Sequence, residues 1–172
     1  GELQGRLLSS ISKIKKPKYI LEIGTFTGYS ALCLAEGLKK GGEIHTIDKN
    51  EELLMIQNKY FKKSGYRDNI FQYTMDASIM LDKINKKFDI IFLDSDKKNY
   101  VNYLNIIPNI LNKNGILIAD NVLWYGKVLG KISEKDKETK AIHEFNKKLK
   151  NGKQFQTIIL PLRDGISISI KL

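Results

Sequence analysis

Two acidic clusters, each following an apolar run, carry most of the chemistry in this sequence. Phe92-Leu93-Asp94-Ser95-Asp96-Lys97-Lys98-Asn99-Tyr100 ends one run and Ile118-Ala119-Asp120-Asn121 ends the next. If the two runs are neighbouring parallel strands, their ends meet. Asp94, Asp120 and Asn121 then present three oxygen ligands and leave positions for water or substrate, the partial coordination that Mg²⁺ accepts, with Mn²⁺ or Ca²⁺ as alternatives. Capping of the helices that follow is the plainer role for such residues, but carboxylates converging without a cation repel one another. Histidine does not compete: His45 falls inside an apolar run and His143 in a polar helical stretch, which argues against zinc. Lys97, three residues past Asp94, can reach the same space from the loop. Beside a metal-bound hydroxyl a lysine serves as general base when its surroundings favour the neutral amine. The adjacent Lys98 reads as solvated.

A second constellation lies earlier. Glu22-Ile23-Gly24-Thr25-Phe26-Thr27-Gly28-Tyr29-Ser30 runs from a strand through a glycine turn into a helix. Glycine is needed where the backbone passes close to a ligand at the carboxyl edge of a strand, which is where open α/β sheets bind cofactors. The spacing is Glu-x-Gly-x-x-x-Gly and not the Gly-x-Gly-x-x-Gly that cradles a pyrophosphate. An acid beside the ligand suits a cationic group and repels a diphosphate. Glu22, Gly24, Thr25, Phe26 and Ser30 are therefore candidates for a nucleoside site. The next apolar run ends in Thr46-Ile47-Asp48, where a carboxylate can accept from both ribose hydroxyls, although Asp is also a common helix N-cap. Met75-Asp76-Ala77 follows the third run, with Ala77 placed to border an adenine ring.

The elements that must position these groups follow from periodicity. Tyr19 to Ile23, Glu43 to Ile47, Ile70 to Thr74, Phe88 to Leu93 and Gly115 to Ala119 are short and rich in Ile, Leu and Phe, as parallel strands buried on both faces should be. Helical patterns at Tyr29 to Lys39, Asn50 to Lys63 and Asn99 to Leu111 alternate with them, the sign of a βαβ sheet. A kink or early stop is expected at Pro108. Leu3 to Ile14 also reads as a helix, and Lys127 to Lys140 as a polar loop. Phe155 to Leu160 and Ile166 to Leu172 are strands separated only by Pro161-Leu162-Arg163-Asp164-Gly165, a link that permits only an antiparallel hairpin. The expected fold is a three-layer α/β sandwich whose seven-stranded, mostly parallel sheet closes with that hairpin.

Composition sets the outer bounds. At 172 residues and 42% hydrophobic content, residues 1–172 suit one domain with a substantial core. No stretch approaches the run of about 18 apolar residues that a membrane span needs. The single cysteine, Cys33, sits among Ala31, Leu32, Leu34 and Ala35 and reads as an inert packing residue that fits a reducing cytoplasm. The net charge of +10 raises encounter rates with anions. The lysines, however, are scattered in pairs and only Arg6, Arg67 and Arg163 supply guanidinium groups, a weak signature for reading nucleic acid.

Taken together, these motifs resemble the cation-dependent O-methyltransferases of the caffeoyl-coenzyme A and catechol type, across nearly the whole chain. LEIGTFTGYSA from Leu21, FLDSDKKNY from Phe92, ADNVLWYGKV from Ala119 and LPLRDGISI from Leu160 stand in the family's order and spacing. Parallel strands closed by an antiparallel hairpin are also the arrangement of the class I methyltransferases. The resemblance implies that Glu22, Gly24, Thr25 and Ser30 line an S-adenosylmethionine site, that Asp48 holds the ribose and that Ala77 borders the adenine. It further implies that Asp96 approaches the methionine end, that Asp94, Asp120 and Asn121 ligate the metal, and that Lys97 is the base. Trp124 and Tyr125, just past the metal ligands, are expected as an aromatic wall for the acceptor ring, with core packing as their plainer role. Met75 departs from the glycine many members carry before the Asp-Ala pair. The chain as it starts at Gly1 is expected to lack most of the family's amino-terminal helices, which help cover the site and build a homodimer. The expected acceptor is a small hydroxylated aromatic. The alternatives are a hydroxylated uridine in transfer RNA and a non-catalytic nucleoside-binding module.

Overall fold

Ile20, Leu21 and Ile23 have no exposed surface, and neither do Ile90, Ile91, Phe92 and Leu93, because helices cover both faces of the sheet that these residues build. The computed structural model describes residues 1–172. Its strands are β1 (Tyr19–Ile23), β2 (Glu43–Asp48), β3 (Ile70–Thr74), β4 (Phe88–Leu93), β5 (Leu111–Asp120), β6 (Phe155–Leu160) and β7 (Ile166–Lys171). Its helices are α1 (Glu2–Lys15), α2 (Tyr29–Ala35), α3 (Leu54–Ser64), α4 (Ala77–Lys83), α5 (Tyr100–Ile110) and α6 (Lys137–Asn151). The strand order is β3-β2-β1-β4-β5-β7-β6, with β7 antiparallel to both neighbours, as the hairpin demanded.

Alternation along the strands sorts the core into two layers. Leu21, Ile23, Ile91, Leu93, Leu117 and Ala119 face a cluster of 20 buried residues that includes Tyr100 and Ile107 of α5 and Ile142 and Phe145 of α6. Ile20, Ile90, Phe92 and Ile118 face a cluster of 13 that includes Leu8 of α1, Leu34 of α2 and Phe61 of α3. α1 buries Gln4, Gly5, Leu8, Ser9 and Ser12, a stripe at helical spacing, and ends where Lys16 turns left-handed before Pro17. Glu36 ties this helix down by accepting from Arg6, Ser9 and Lys13, and these partners hold its carboxyl at about 2. No helix is long and apolar enough to cross a membrane.

Several boundaries differ from the periodic reading. α2 stops at Ala35 and not at Lys39, with Ser12 Oγ of α1 donating to the Leu34 carbonyl at 2.6 Å. The stretch from Asn50 begins as a short 3₁₀ turn, Glu51–Leu53, whose N-cap is Asn50, accepting from the Glu52 amide. Pro108 lies inside the last turn of α5 without stopping it, and the freed Pro108 carbonyl accepts from Lys171 Nζ at 2.6 Å. β5 begins at Leu111, earlier than Gly115, because Leu111 pairs with Phe88 before a register shift. α4 was not anticipated, and the polar Lys127 to Lys140 segment contains a 3₁₀ turn, Lys127–Leu129, and the start of α6.

Register explains why the chemistry collects at one edge. Ile47, Ile23, Leu93 and Ala119 pair across β2, β1, β4 and β5 in a single row. The residues immediately after them, Asp48, Gly24, Asp94 and Asp120, therefore stand side by side at the carboxyl ends of the strands. Strand order reverses between β1 and β4, and open α/β sheets bind ligands at such a switch point.

Candidate active site

Two cavities open along this row, of about 380 and 480 Å³, and both are lined by Gly24, Phe26 and Asp94. The first is bordered by Asp48, Met75, Ala77, Asp96 and Tyr103. The second is bordered by Gln4, Tyr29, Ser30, Asp120, Asn121 and Arg163. Gly24 separates them. Its φ is +104°, and a Cβ there would stand 1.9 Å from the Asp94 carbonyl oxygen, so both conformation and space require glycine.

Behind the glycine turn lies Glu22, which has no exposed surface. Its two carboxylate oxygens accept from Ser30 Oγ and Thr46 Oγ1, and Thr46 Oγ1 in turn shares a 2.6 Å hydrogen bond with Thr25 Oγ1. Burial pushes the Glu22 carboxyl up to about 7 despite the hydroxyls that favour its ionised form, and the charges of Asp94 and Asp48 add to the rise. Glu22 lines neither cavity directly. As the penultimate residue of β1 it lies beneath the turn and holds Thr46 and Ser30, of which Ser30 reaches the second cavity.

Asp48 accepts from the Phe26 amide at 2.8 Å and the Asn50 amide at 3.0 Å, joining the end of β2 to the glycine turn. The N-cap role belongs to Asn50. Phe26 itself has a left-handed φ of +47° and is 68% exposed, which sets its ring at the rim shared by both cavities. Gln57 Nε2 fixes this backbone by donating to the Phe26 carbonyl at 2.6 Å. Asp76 and Asp96 cap α4 and the 3₁₀ turn Lys97–Asn99, and both line the first cavity.

At the second cavity, Asp120 is buried. Its Oδ1 accepts from the Asn121 amide at 2.7 Å and its Oδ2 from Gln4 Nε2 at 2.6 Å. Asn121 is left-handed at φ +57°, and its Nδ2 donates to Asp164 Oδ2 at 3.4 Å, which leaves its amide oxygen as an acceptor. Asp94 is 39% exposed and accepts from Lys97 Nζ at 3.0 Å. Lys97 is buried, lines neither cavity, and also donates to the Tyr100 hydroxyl at 2.7 Å. That hydroxyl lies 3.0 Å from the Leu93 carbonyl and 3.1 Å from the Asp120 carbonyl. Burial pushes the Tyr100 phenol well above its ordinary range.

Asp94, Asp120 and Asn121 thus border one space, as their strand ends implied. No three His, Cys, Asp or Glu side chains converge anywhere in the chain, so any ion-binding set here is two carboxylates and an amide. Such hard oxygen donors suit a hard cation.

Trp124 and Tyr125 line neither of these two cavities: Trp124 packs half-buried against the larger core cluster and Tyr125 is 79% exposed. Successive left-handed residues, Trp124, Tyr125 and Gly126, carry the chain away from the strand ends. The aromatic groups at the rim are Phe26 and Tyr29 instead. Gln4, Tyr29 and Arg163 were missed as lining residues. Tyr29 and Arg163 lay within quoted motifs, while Gln4 had no signal beyond its place in a helical stretch.

The family model described as O-methyltransferase matches residues 1–172. The chain belongs to the O-methyltransferase family. Among curated relatives, the caffeoyl-CoA O-methyltransferase of Populus kitakamiensis is 31% identical, over 98% of this chain and 76% of the relative. That of Stellaria longipes is 33% identical, over 96% of this chain and 73% of the relative. Among solved O-methyltransferase structures, the Bacillus cereus enzyme in complex with SAH superposes with a TM-score of 0.93 at 26% identity, covering 100% of this chain and 82% of that one. An SAH-bound methyltransferase from Podospora anserina gives 0.88 at 29% identity, covering 100% and 79%. The seven-stranded sheet with its antiparallel end, expected from the sequence, is the fold of this O-methyltransferase.

Proposed function

We propose that this chain transfers a methyl group from S-adenosylmethionine to a hydroxyl of a small catechol-like acceptor, with a divalent cation between Asp94, Asp120 and Asn121. One observation carries the reading: the cavity bordered by those three oxygen donors and the cavity bordered by Asp48 and Ala77 adjoin, sharing Gly24, Phe26 and Asp94 as lining residues. The donor belongs in the Asp48 and Ala77 cavity, the acceptor in the other.

Asp48 is the ribose acceptor, its position fixed by the Phe26 and Asn50 amides, and Ala77 leaves room for a flat base. Gly24, Thr25, Phe26 and Ser30 shape the turn that faces the sulfonium, with Glu22 bracing it from beneath. Asp96 borders the same cavity, where a carboxylate suits the ammonium of the methionine end. A bound divalent cation supplies charge that lowers the pKa of an acceptor hydroxyl and fixes its direction. In the transfer, the acceptor oxygen bonds to the methyl carbon as the carbon–sulfur bond breaks, its electron pair staying on sulfur. The hydroxyl proton is assigned to Lys97, which adjoins the acceptor cavity through Asp94, the lining carboxylate to which its Nζ donates. Lys97 Nζ is held in place by Asp94 and by the Tyr100 hydroxyl, to both of which it donates.

Transfer from labelled S-adenosylmethionine, measured with catechol and with bulk transfer RNA, in EDTA and after adding Mg²⁺, tests this reading. Catechol methylation that needs the cation, and is lost in Asp120→Ala while donor binding persists, is expected. Full activity in EDTA removes the cation from the reaction. Label in transfer RNA alone transfers the assignment to a nucleoside acceptor, and a donor-binding protein inert toward both is a binding module.

A further inference from the structure

The three arginines of this chain have different surroundings. Arg6 pairs with Glu36 at 2.9 Å, and Arg67 donates to the Ile70 carbonyl at 2.9 Å. Arg163 makes no ion pair. Its one side-chain hydrogen bond runs from Nη1 to Gln4 Oε1, at 3.3 Å. A guanidinium carries five N–H donors in a planar fork that matches a carboxylate or phosphate. Most of that fork is free, and Arg163 lines the same cavity as Asp120 and Asn121.

Local backbone accounts for its position. Arg163 occupies the turn between β6 and β7 with a left-handed φ of +54°, and the turn closes by a 2.9 Å hydrogen bond from the Gly165 amide to the Leu162 carbonyl. The neighbouring Asp164 forms no ion pair with the guanidinium; its two oxygens accept from the Tyr125 amide and from Asn121 Nδ2. Arg163 is a cation without a direct ion pair on the wall of a cavity whose charged side chains are otherwise Asp94 and Asp120. Two hydrogen bonds, through the Gln4 amide, separate it from Asp120. A substituted aromatic ring spans such an interval, with its hydroxyls at Asp120 and a ring substituent at Arg163.

We infer that Arg163 is a specificity-determining residue that selects acceptors bearing an anionic oxygen group, a carboxylate first, on the side of the ring away from the methylated hydroxyl. The inference rests on the acceptor cavity proposed above and names the class of acceptor it takes. Because the guanidinium is open to solvent, the preference is modest, roughly tenfold in KM, and weakens with salt.

The test compares 3,4-dihydroxybenzoate, catechol and a catechol bearing a phosphate monoester. Each is measured with the wild type, Arg163→Gln and Arg163→Lys, at low and at moderate salt. Gln keeps a donor for Gln4 but removes the charge; Lys keeps the charge. Turnover is followed with labelled donor, and equilibrium binding of the same three compounds by calorimetry with SAH present. The wild type and Arg163→Lys are expected to favour an anionic acceptor over catechol by roughly tenfold in KM and in affinity, and Arg163→Gln to lose that margin by weakening the anionic acceptors far more than catechol. The phosphate arm decides which anion fits better. Equal losses for catechol and the acids in Arg163→Gln would mean that Arg163 acts only by bracing Gln4 against Asp120, and would overturn the inference, as would the absence of any margin in the wild type. If none of the three is methylated, the proposed reaction fails. A charge-dependent binding margin would then still uphold the anion site, and its absence would reject it.

Discussion

The Tyr100 hydroxyl lies 3.1 Å from the Asp120 carbonyl oxygen and is wholly buried. Because Leu93 offers its carbonyl to the same proton at 3.0 Å, one side chain ties together the ends of the two strands that carry Asp94 and Asp120. Tyr100→Phe leaves these carbonyls without a side-chain donor and Lys97 with one acceptor fewer. Chemical denaturation is expected to show a loss of about 1–3 kcal/mol. Turnover is expected to fall more than donor affinity, since the donor cavity is lined by other residues. A fully stable Phe variant with normal turnover would count against the clamp.

Lys97→Met removes the base proposed to take the hydroxyl proton. Turnover is expected to drop by roughly 10²–10⁴ with donor affinity nearly unchanged. Stability should change little, because Asp94 keeps access to water. An unchanged rate would assign Lys97 to charge balance alone.

The buried Glu22 makes stability depend on pH in a definite direction. Its carboxyl lies at about 7 in the folded chain against 4.5 for the free side chain, so between these values the folded state holds a proton that the unfolded state has released. Stability from this group is complete below about pH 4.5 and is lost as pH rises through about 7, by up to about 3 kcal/mol. The difference between wild type and Glu22→Gln isolates it, since Glu36 and other carboxylates are common to both. Urea midpoints from pH 4.5 to pH 8 are expected to converge at the acid end and diverge toward the alkaline end, with Glu22→Gln the more stable there. Parallel curves would remove Glu22 from the titration.

Asp164 holds the segment that leaves β5. It accepts from the Tyr125 amide at 2.6 Å and from the Asn121 side chain, and both residues are left-handed. The Asp164 and Gly165 carbonyls accept from the Leu123 and Val122 amides. Asp164→Ala is expected to weaken Mn²⁺ binding by about 10-fold or more, as loss of a group that orients a metal ligand does, while donor binding is retained. Paramagnetic titration of Mn²⁺ measures the first and calorimetry with SAH the second. Unaltered ion affinity would restrict Asp164 to the hairpin.

Much of this arrangement was legible because strand ends in a parallel sheet are also ligand positions. The runs ending at Ile47, Leu93 and Ala119 announced β2, β4 and β5, and their next residues are the candidate site. Side-chain direction was harder to read. Glu22 has the residue type of a ligand-facing acid, but alternation along β1 turns it inward, and nothing local to the motif announces Thr46 as its partner. The direction of Tyr125 was not legible because it depends on three successive left-handed residues, a conformation that aromatic side chains rarely adopt and that Asp164, far along the chain, sustains. Gln4 reaches Asp120 across 116 positions of sequence, and no periodicity encodes such a contact.

The close approach of Gly24 to the Asp94 carbonyl leaves no room for a side chain at position 24, where the two chambers adjoin. On the proposed reading a sulfonium on one side and a nucleophilic oxygen on the other approach each other past this turn, while α1 and the β6–β7 turn supply Gln4 and Arg163 to the far wall of the second chamber. The junction is fixed by backbone, and selectivity is left to the walls.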